Sequence, residues 1–191
     1  MDGIIESKHV TFEEVLEQFK KEHKDNQGTN EFPLKCLSVA NKLYGSWIKA
    51  KISSDVVNKI VLTSHPRCKI SFFARMNHRI KQDFSFIPKT GLTVEEAFDF
   101  LKKNEDEIIK KRPKCIETIR HFNSNTVGTF FLCQGPVYGI KEYDSLIGWD
   151  HSHLVKIDGL HRLLSLLYPK KIQYSFVNAY IAINENFAKL L

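Results

Sequence analysis

Cysteine is scarce in this chain and badly spaced for a metal: Cys36, Cys68, Cys115 and Cys133 form no Cys-x-x-Cys pair. That spacing argues against a structural zinc site and a redox dithiol, and leaves reduced, mostly buried thiols as the expectation. Long apolar runs are missing as well. No stretch approaches the roughly 20 residues that a membrane helix needs, and Met1-Asp-Gly-Ile-Ile-Glu6 lacks the basic and then apolar regions of a secretory signal. A cytoplasmic location without a membrane partner is therefore expected. A concentrated basic block is also lacking. The net charge of +6 is dispersed over short groups such as Lys20-Lys21, Lys102-Lys103, Lys110-Lys111-Arg112 and Lys170-Lys171. These read as solvated helix faces, so nucleic acid is an unlikely partner on sequence grounds, while a modest basic balance suits an enzyme that concentrates nucleotides. No fixed-period repeat is present.

What is there suffices for a packed domain: 191 residues, 42% of them hydrophobic and 12% aromatic. Two helix starts are capping boxes, Thr11-Phe-Glu-Glu14 and Thr93-Val-Glu-Glu96, each leading into an amphipathic pattern. Asp25–Asn30 is a polar connection, after which Leu34, Leu37, Ala40, Asn41 and Tyr44 predict a helix ending near Gly45. Strand character is read at 69–75 and 83–87, with a turn from Pro88 to Gly91. A helix after Pro113 turns Ile116 and Ile119 inward, leaving Glu117 and Arg120 available. Further strands are read at 126–133, 153–157 and 172–177, with Gln134–Gly139 as a turn. The expected class is mixed α/β: a mostly helical N-terminal extension over 1–90, packed on a C-terminal sheet domain over 91–191.

The chemistry concentrates in Asp158-Gly159-Leu160-His161-Arg162, where the strand pattern Leu154-Val155-Lys156-Ile157 gives way to a helix with Leu160, Leu163, Leu164 and Leu167 on one face. A strand that ends in Asp-Gly and opens at once into a helix aims backbone N–H groups, the positive end of the helix dipole, His161 and Arg162 at one place. The same residues could form an ordinary turn with Asp158 as a cap. Spacing favours the anion site, since His161, Arg162 and Ser165 share the face beside the leucines.

In that strand-to-helix context the box resembles the phosphate-binding signature of the ParB/sulfiredoxin-like superfamily, over about the last third of the chain. Sulfiredoxins carry a reactive cysteine where this chain has Leu160, so sulfinic-acid reduction is not carried over. Partition-type ParB proteins resemble it less, since they carry a Glu-Arg-Arg box and a downstream helix-turn-helix. The box is most similar to the Asp-Gly-His-His-Arg box of free-serine kinases, matched at Asp158, Gly159, His161 and Arg162 but not at Leu160.

The resemblance implies a nucleotide-binding enzyme that transfers phosphate to, or otherwise activates, a small hydroxylated amino acid or related metabolite. Gly159, Leu160, His161 and Arg162 are then the candidates for ATP or ADP, Asp158 and His161 for catalysis, and Asp158 for Mg2+. Glu117 and Glu142 are candidate proton acceptors by exclusion. Asp150-His151-Ser152-His153 raises a transition-metal alternative, which strand alternation weakens. A regulatory nucleotide-binding module and a ParB-like nucleic-acid-associated protein are the competing functions. Trp47 and Trp149 read as packing residues.

Overall fold

The computed structural model describes residues 3–23, 31–63, 91–122, 127–146, 152–168 and 174–184. They form a mixed α/β fold with helices on both faces of a sheet. The strands are β1 (Ile4–Val10), β2 (Ser46–Ser53), β3 (Phe130–Cys133), β4 (Val155–Asp158) and β5 (Phe176–Ile183). Their order is β1-β2-β5-β3-β4, antiparallel throughout except for the parallel pair β5 and β3. Beyond β4 the sheet is covered by isolated bridges from Val61 to Val155 and Thr93. β5 is central, and its run Ala179-Tyr-Ile-Ala-Ile183 is buried throughout, as a strand covered on both faces requires.

The helices among the described residues are α1 (Phe12–Glu22), α2 (Glu31–Tyr44), α3 (Ser54–Lys59), α4 (Val94–Lys103), α5 (Glu105–Lys111), α6 (Pro113–His121) and α7 (Leu160–Leu167), with a 3-10 turn at Lys141–Leu146. Both capping boxes form: Thr11 accepts from the Glu14 N–H and Thr93 from the Glu96 N–H, and each glutamate reciprocates. α2 stops at Tyr44, before Gly45. α6 opens on Pro113 and buries Ile116 and Ile119 as expected, while Glu117 lies exposed.

One core lies between one sheet face and α3 to α7, with Ile48, Ala50, Ile52, Phe130, Leu163 and Ile181 among its members. The other lies under α1, α2 and the 3-10 turn and includes Val15, Phe19, Trp47, Phe131, Tyr143 and Ile157. Trp47 is indeed a packing residue, 2% exposed and stacked on Phe12 at 5.9 Å.

Residues 1–90 supply more than the helical extension expected of them. β1 and β2 belong to the same sheet as the C-terminal strands, because Trp47-Ile48-Lys49-Ala50-Lys51-Ile52 alternates and pairs residue for residue with β5. The strand expected at 172–177 runs instead from Phe176 to Ile183, where the continuous apolar run lies. Of the described part of the strand expected at 126–133, Phe130–Cys133 forms the strand, while the Val127 carbonyl accepts from Arg162 and the Thr129 N–H donates to Glu22. The elements expected at 69–75 and 83–87 and the Asp25–Asn30 connection lie outside the described residues, as do Trp149 and His151. Cys36 and Cys133 are free and buried, whereas Cys115 is disulfide-bonded, contrary to the expectation of four unpaired thiols. Separation along the chain does not fix separation in space.

Candidate functional site

β4 ends on Asp158, Gly159 makes the turn, and α7 begins at Leu160, so the box occupies a strand-to-helix junction. The turn requires glycine. Gly159 has φ 102°, and a Cβ there would stand 2.8 Å from Cδ1 of Phe130. Antiparallel pairing of β3 with β4 brings the residues before Phe130 to the same end of the sheet. There Gly128, at φ 67°, leaves room for a guanidinium: a Cβ on it would meet Nη1 of Arg162 at 2.9 Å.

Arg162 is bound within the protein. Its Nη1 donates to Oε2 of Glu22 at 2.5 Å and to the Val127 carbonyl at 3.3 Å, and its Nη2 donates to Oδ2 of Asp158 at 2.9 Å. The guanidinium also lies 5.6 Å from the centre of the Phe130 ring. Arg162 thus fastens α7 to α1 and to the end of β4. Ser165, expected beside it, is 1% exposed and donates its hydroxyl to the Arg162 carbonyl at 2.6 Å.

Two residues of α1 join the site that the box alone did not reveal. Glu22 accepts the Thr129 N–H and the Gln18 amide on Oε1 while holding Arg162 on Oε2, so both of its oxygens are engaged. His23 follows, its Nδ1 2.9 Å from the Phe19 carbonyl and its Nε2 3.2 Å from Oδ2 of Asp158. Both neighbours only accept hydrogen bonds, so the arrangement favours the imidazolium, which can donate twice. The hydrogen bond to Asp158 accordingly raises the His23 pKa above its ordinary 6.5. A signal existed in the sequence: Phe12, Val15, Leu16 and Phe19 form the inward stripe of α1, and Glu22 and His23 continue it where apolar residues would be expected.

Burial raises the pKa of Asp158, but the hydrogen bond from His23 and the charges of Arg162, His23 and Lys156 outweigh it, holding the carboxyl at about 2. His161 is half-buried, and desolvation, with the charge of Lys156, lowers its pKa to about 4. It is neutral at neutral pH. Lys156 precedes the box on β4 and is 8% exposed. Its ammonium makes one long hydrogen bond, 3.4 Å to the Ile157 carbonyl, and burial lowers its pKa. Around it stand Cys36 and Cys133, whose thiols burial pushes up, and Tyr143, whose hydroxyl donates to the Lys156 carbonyl at 2.9 Å.

The structure therefore brings Asp158, Gly159, Leu160, His161 and Arg162 together and adds Glu22, His23 and Lys156. Glu142 is half-buried on the 3-10 turn, where its charge reaches Lys156, and Glu117 lies exposed on α6. Among the described residues no group of three or more His, Cys, Asp or Glu side chains could hold a metal ion, and no helix is long and apolar enough to cross a membrane. The model of a family of unknown function, DUF6309, matches residues 4–189. Neither the curated proteins nor the solved structures hold a significant match.

Proposed function

We propose that this chain, which belongs to the DUF6309 family of unknown function, is a nucleotide-binding enzyme of ParB/sulfiredoxin-like type that transfers phosphate to a small hydroxylated amino acid or related metabolite. The observation that carries the reading is the junction: a left-handed Gly159 packed on Phe130 opens an eight-residue helix beside an ionised Asp158 and a neutral His161. The first N–H groups of α7, at Leu160, His161 and Arg162, have no carbonyl of their own helix to bond and face the phosphates of ATP or ADP. His161, uncharged, donates one ring N–H to them. Arg162 acts as a positioning residue, since its contacts with Glu22 and Asp158 fix the start of α7.

Magnesium would balance the phosphate charge. Asp158, ionised at physiological pH, is the carboxylate that would hold it, and the ion would supply positive charge against the phosphates. In the transfer, the acceptor hydroxyl oxygen bonds to the terminal phosphorus as the bond to the bridging oxygen breaks and nucleoside diphosphate leaves. The hydroxyl proton passes to a base, for which the box offers Asp158, already held by Arg162 and His23, and the neutral imidazole of His161.

Thermal shift with adenine, cytidine and guanine nucleotides, with and without magnesium, tests the reading. A nucleotide at about 100 times its dissociation constant should stabilise the fold by about 2.7 kcal/mol. Mass spectrometry should then detect a phosphorylated product when serine or a related hydroxylated metabolite is added. No shift with any nucleotide sinks the proposal. A second reading, a regulatory module that binds nucleotide without turnover, is favoured by Glu22, whose oxygens are both engaged and cannot take a proton without breaking the site. Binding without product selects it.

A further inference from the structure

Lysines gather on the open half of the sheet, at the end away from the junction. Ile48, Ala50 and Ile52 of β2 point into one core, so Lys49 and Lys51 point to the other face, where α1 and α2 cover Trp47 and Tyr180. Beyond that cover Lys8, Asn178 and Phe176 are exposed, and Lys49 and Lys51 are half-buried. A bulge decides what stands there. Ile5 pairs with Lys51, but the register then shifts and Ser7 pairs with Ala50, leaving Glu6 as the extra residue at φ 50°. Without that residue Lys8 would oppose Ile48 and face the core; with it Lys8 stands directly opposite Lys49. Both features cost stability, one a left-handed backbone at a non-glycine residue, the other two like charges at opposed strand positions. The cations are also held without being neutralised. Lys49 lies 5.8 Å from the centre of the Tyr180 ring, and Lys51 lies 4.8 Å from that of Phe176. Of the three lysines only Lys51 pairs with a carboxylate among the described residues, Glu6 at 2.7 Å, and that pair is open to solvent, with side chains 33% and 68% exposed. Lys8, Lys49, Lys51, Glu6 and Asn178 line a cavity of about 310 Å³.

We propose that this face of β1, β2 and β5 binds single-stranded nucleic acid, with phosphates on Lys8, Lys49 and Lys51 and a base on the ring of Phe176. Strained backbone and opposed like charges are repaid when a polyanion lies between the lysines. Lys49 and Lys51 stand two residues apart on one strand, roughly 6.8 Å, a step that follows the backbone of an extended nucleic-acid strand. Phe176 is 44% exposed beside Lys51, and an exposed aromatic ring adjoining a cationic groove offers stacking to an unpaired base, which a duplex cannot supply. The sequence scatters its basic residues, and the pairing of β1 with β2 brings these three together. β5 and β3 lie between β2 and β4, so the face is separate from the junction and the inference stands independently of the nucleotide reading.

The test is fluorescence anisotropy of a labelled oligothymidylate and of its duplex with oligoadenylate, titrated with the full chain over a range of salt. Wild type should bind the single strand more tightly than the duplex, with log affinity falling against log salt at a slope of about −2, since each phosphate neutralised on a single strand contributes about −0.7. The face variant Lys8→Gln, Lys49→Gln, Lys51→Gln should lose about tenfold or more in affinity and bring the slope near zero. A control variant, Lys102→Gln, Lys103→Gln, Lys110→Gln, removes the same charge from exposed positions on α4 and α5 and should keep both affinity and slope. Phe176→Leu should lose about fivefold or more with the slope unchanged, because stacking carries no counterion release. Ligand-free, the face variant should melt no lower than the control, since an opposed pair of like charges has gone. Equal losses in the face and control variants overturn the proposal, as does a face variant that melts well below the control, which makes the lysines structural. Equal binding of single strand and duplex removes Phe176 from the site and the single-strand assignment with it. Polyglutamate that displaces the oligonucleotide as well as unlabelled oligothymidylate does assigns the face to an acidic peptide instead, and no binding in wild type ends the inference.

Discussion

Replacing Arg162 with alanine should destabilise the protein substantially even with no ligand present. The guanidinium lies between Glu22 and Asp158, at 2.5 and 2.9 Å, with the side chains only 10%, 15% and 19% exposed. Its loss leaves Glu22 without its cation, leaves Asp158 with His23 alone as ion-pair partner, and frees the Val127 carbonyl. Breaking a buried ion pair by removing one partner costs about 3–5 kcal/mol, and the residual exposure here places the expected loss near the lower end, about 3 kcal/mol. Against a typical domain stability of about 5–15 kcal/mol that is a large fraction. Urea unfolding followed by circular dichroism measures it. Arg162→Lys should recover only part, since lysine keeps the charge but cannot fork between two carboxylates. The double change Arg162→Met, Glu22→Gln should be closer to wild type than Arg162→Ala, because Glu22 is then no longer a buried carboxylate without its cation, while Asp158 keeps His23. An Arg162→Ala protein within about 0.5 kcal/mol of wild type, the range of ordinary surface substitutions, would refute the reasoning.

His23 has a raised pKa in the folded state, so its contribution to stability is fully present below 6.5 and is lost as pH rises through the folded value. His23→Gln should therefore be less stable than wild type in mild acid and converge with it in alkali, measured as urea midpoints across that range. His161 behaves oppositely: its folded pKa is about 4, the unfolded chain takes the proton first, and stability falls as pH drops from 6.5 toward 4. His161→Asn should flatten that acid-side decline in the same titration. Gly159→Ala should cost about 1–3 kcal/mol, because φ is 102° and the new Cβ would press on Phe130 at 2.8 Å; an unchanged melting temperature contradicts it.

Local signals in the sequence translated well into structure. The capping boxes at Thr11 and Thr93, the stop of α2 before Gly45 and the turn at Asp158-Gly159 all depend on neighbours within a few residues, and each stands where its residues indicate. What failed was non-local. β1 and β2 lie far from the other strands in sequence, and their place in the sheet is fixed by pairing with β5. The candidate site divides the same way. Asp158, Gly159, His161 and Arg162 were legible as a junction, but the partners of Arg162 were not, because Glu22 is 140 residues away. Lys156 was hidden for another reason: in Leu154-Val155-Lys156-Ile157 it looks like the solvent-facing member of an edge strand, yet Leu154, Val155, Lys156 and Ile157 are all buried.

The central claim is that phosphate oxygens bind at the first turn of α7, and backbone amide NMR of isotope-labelled protein tests it most directly. Titration with magnesium and the nucleotide that gives the largest thermal shift should move the amide resonances of Leu160, His161 and Arg162 saturably and together, ahead of any others, since those N–H groups would be the donors. Saturable binding that leaves these three amides unmoved and shifts a different region would contradict the account.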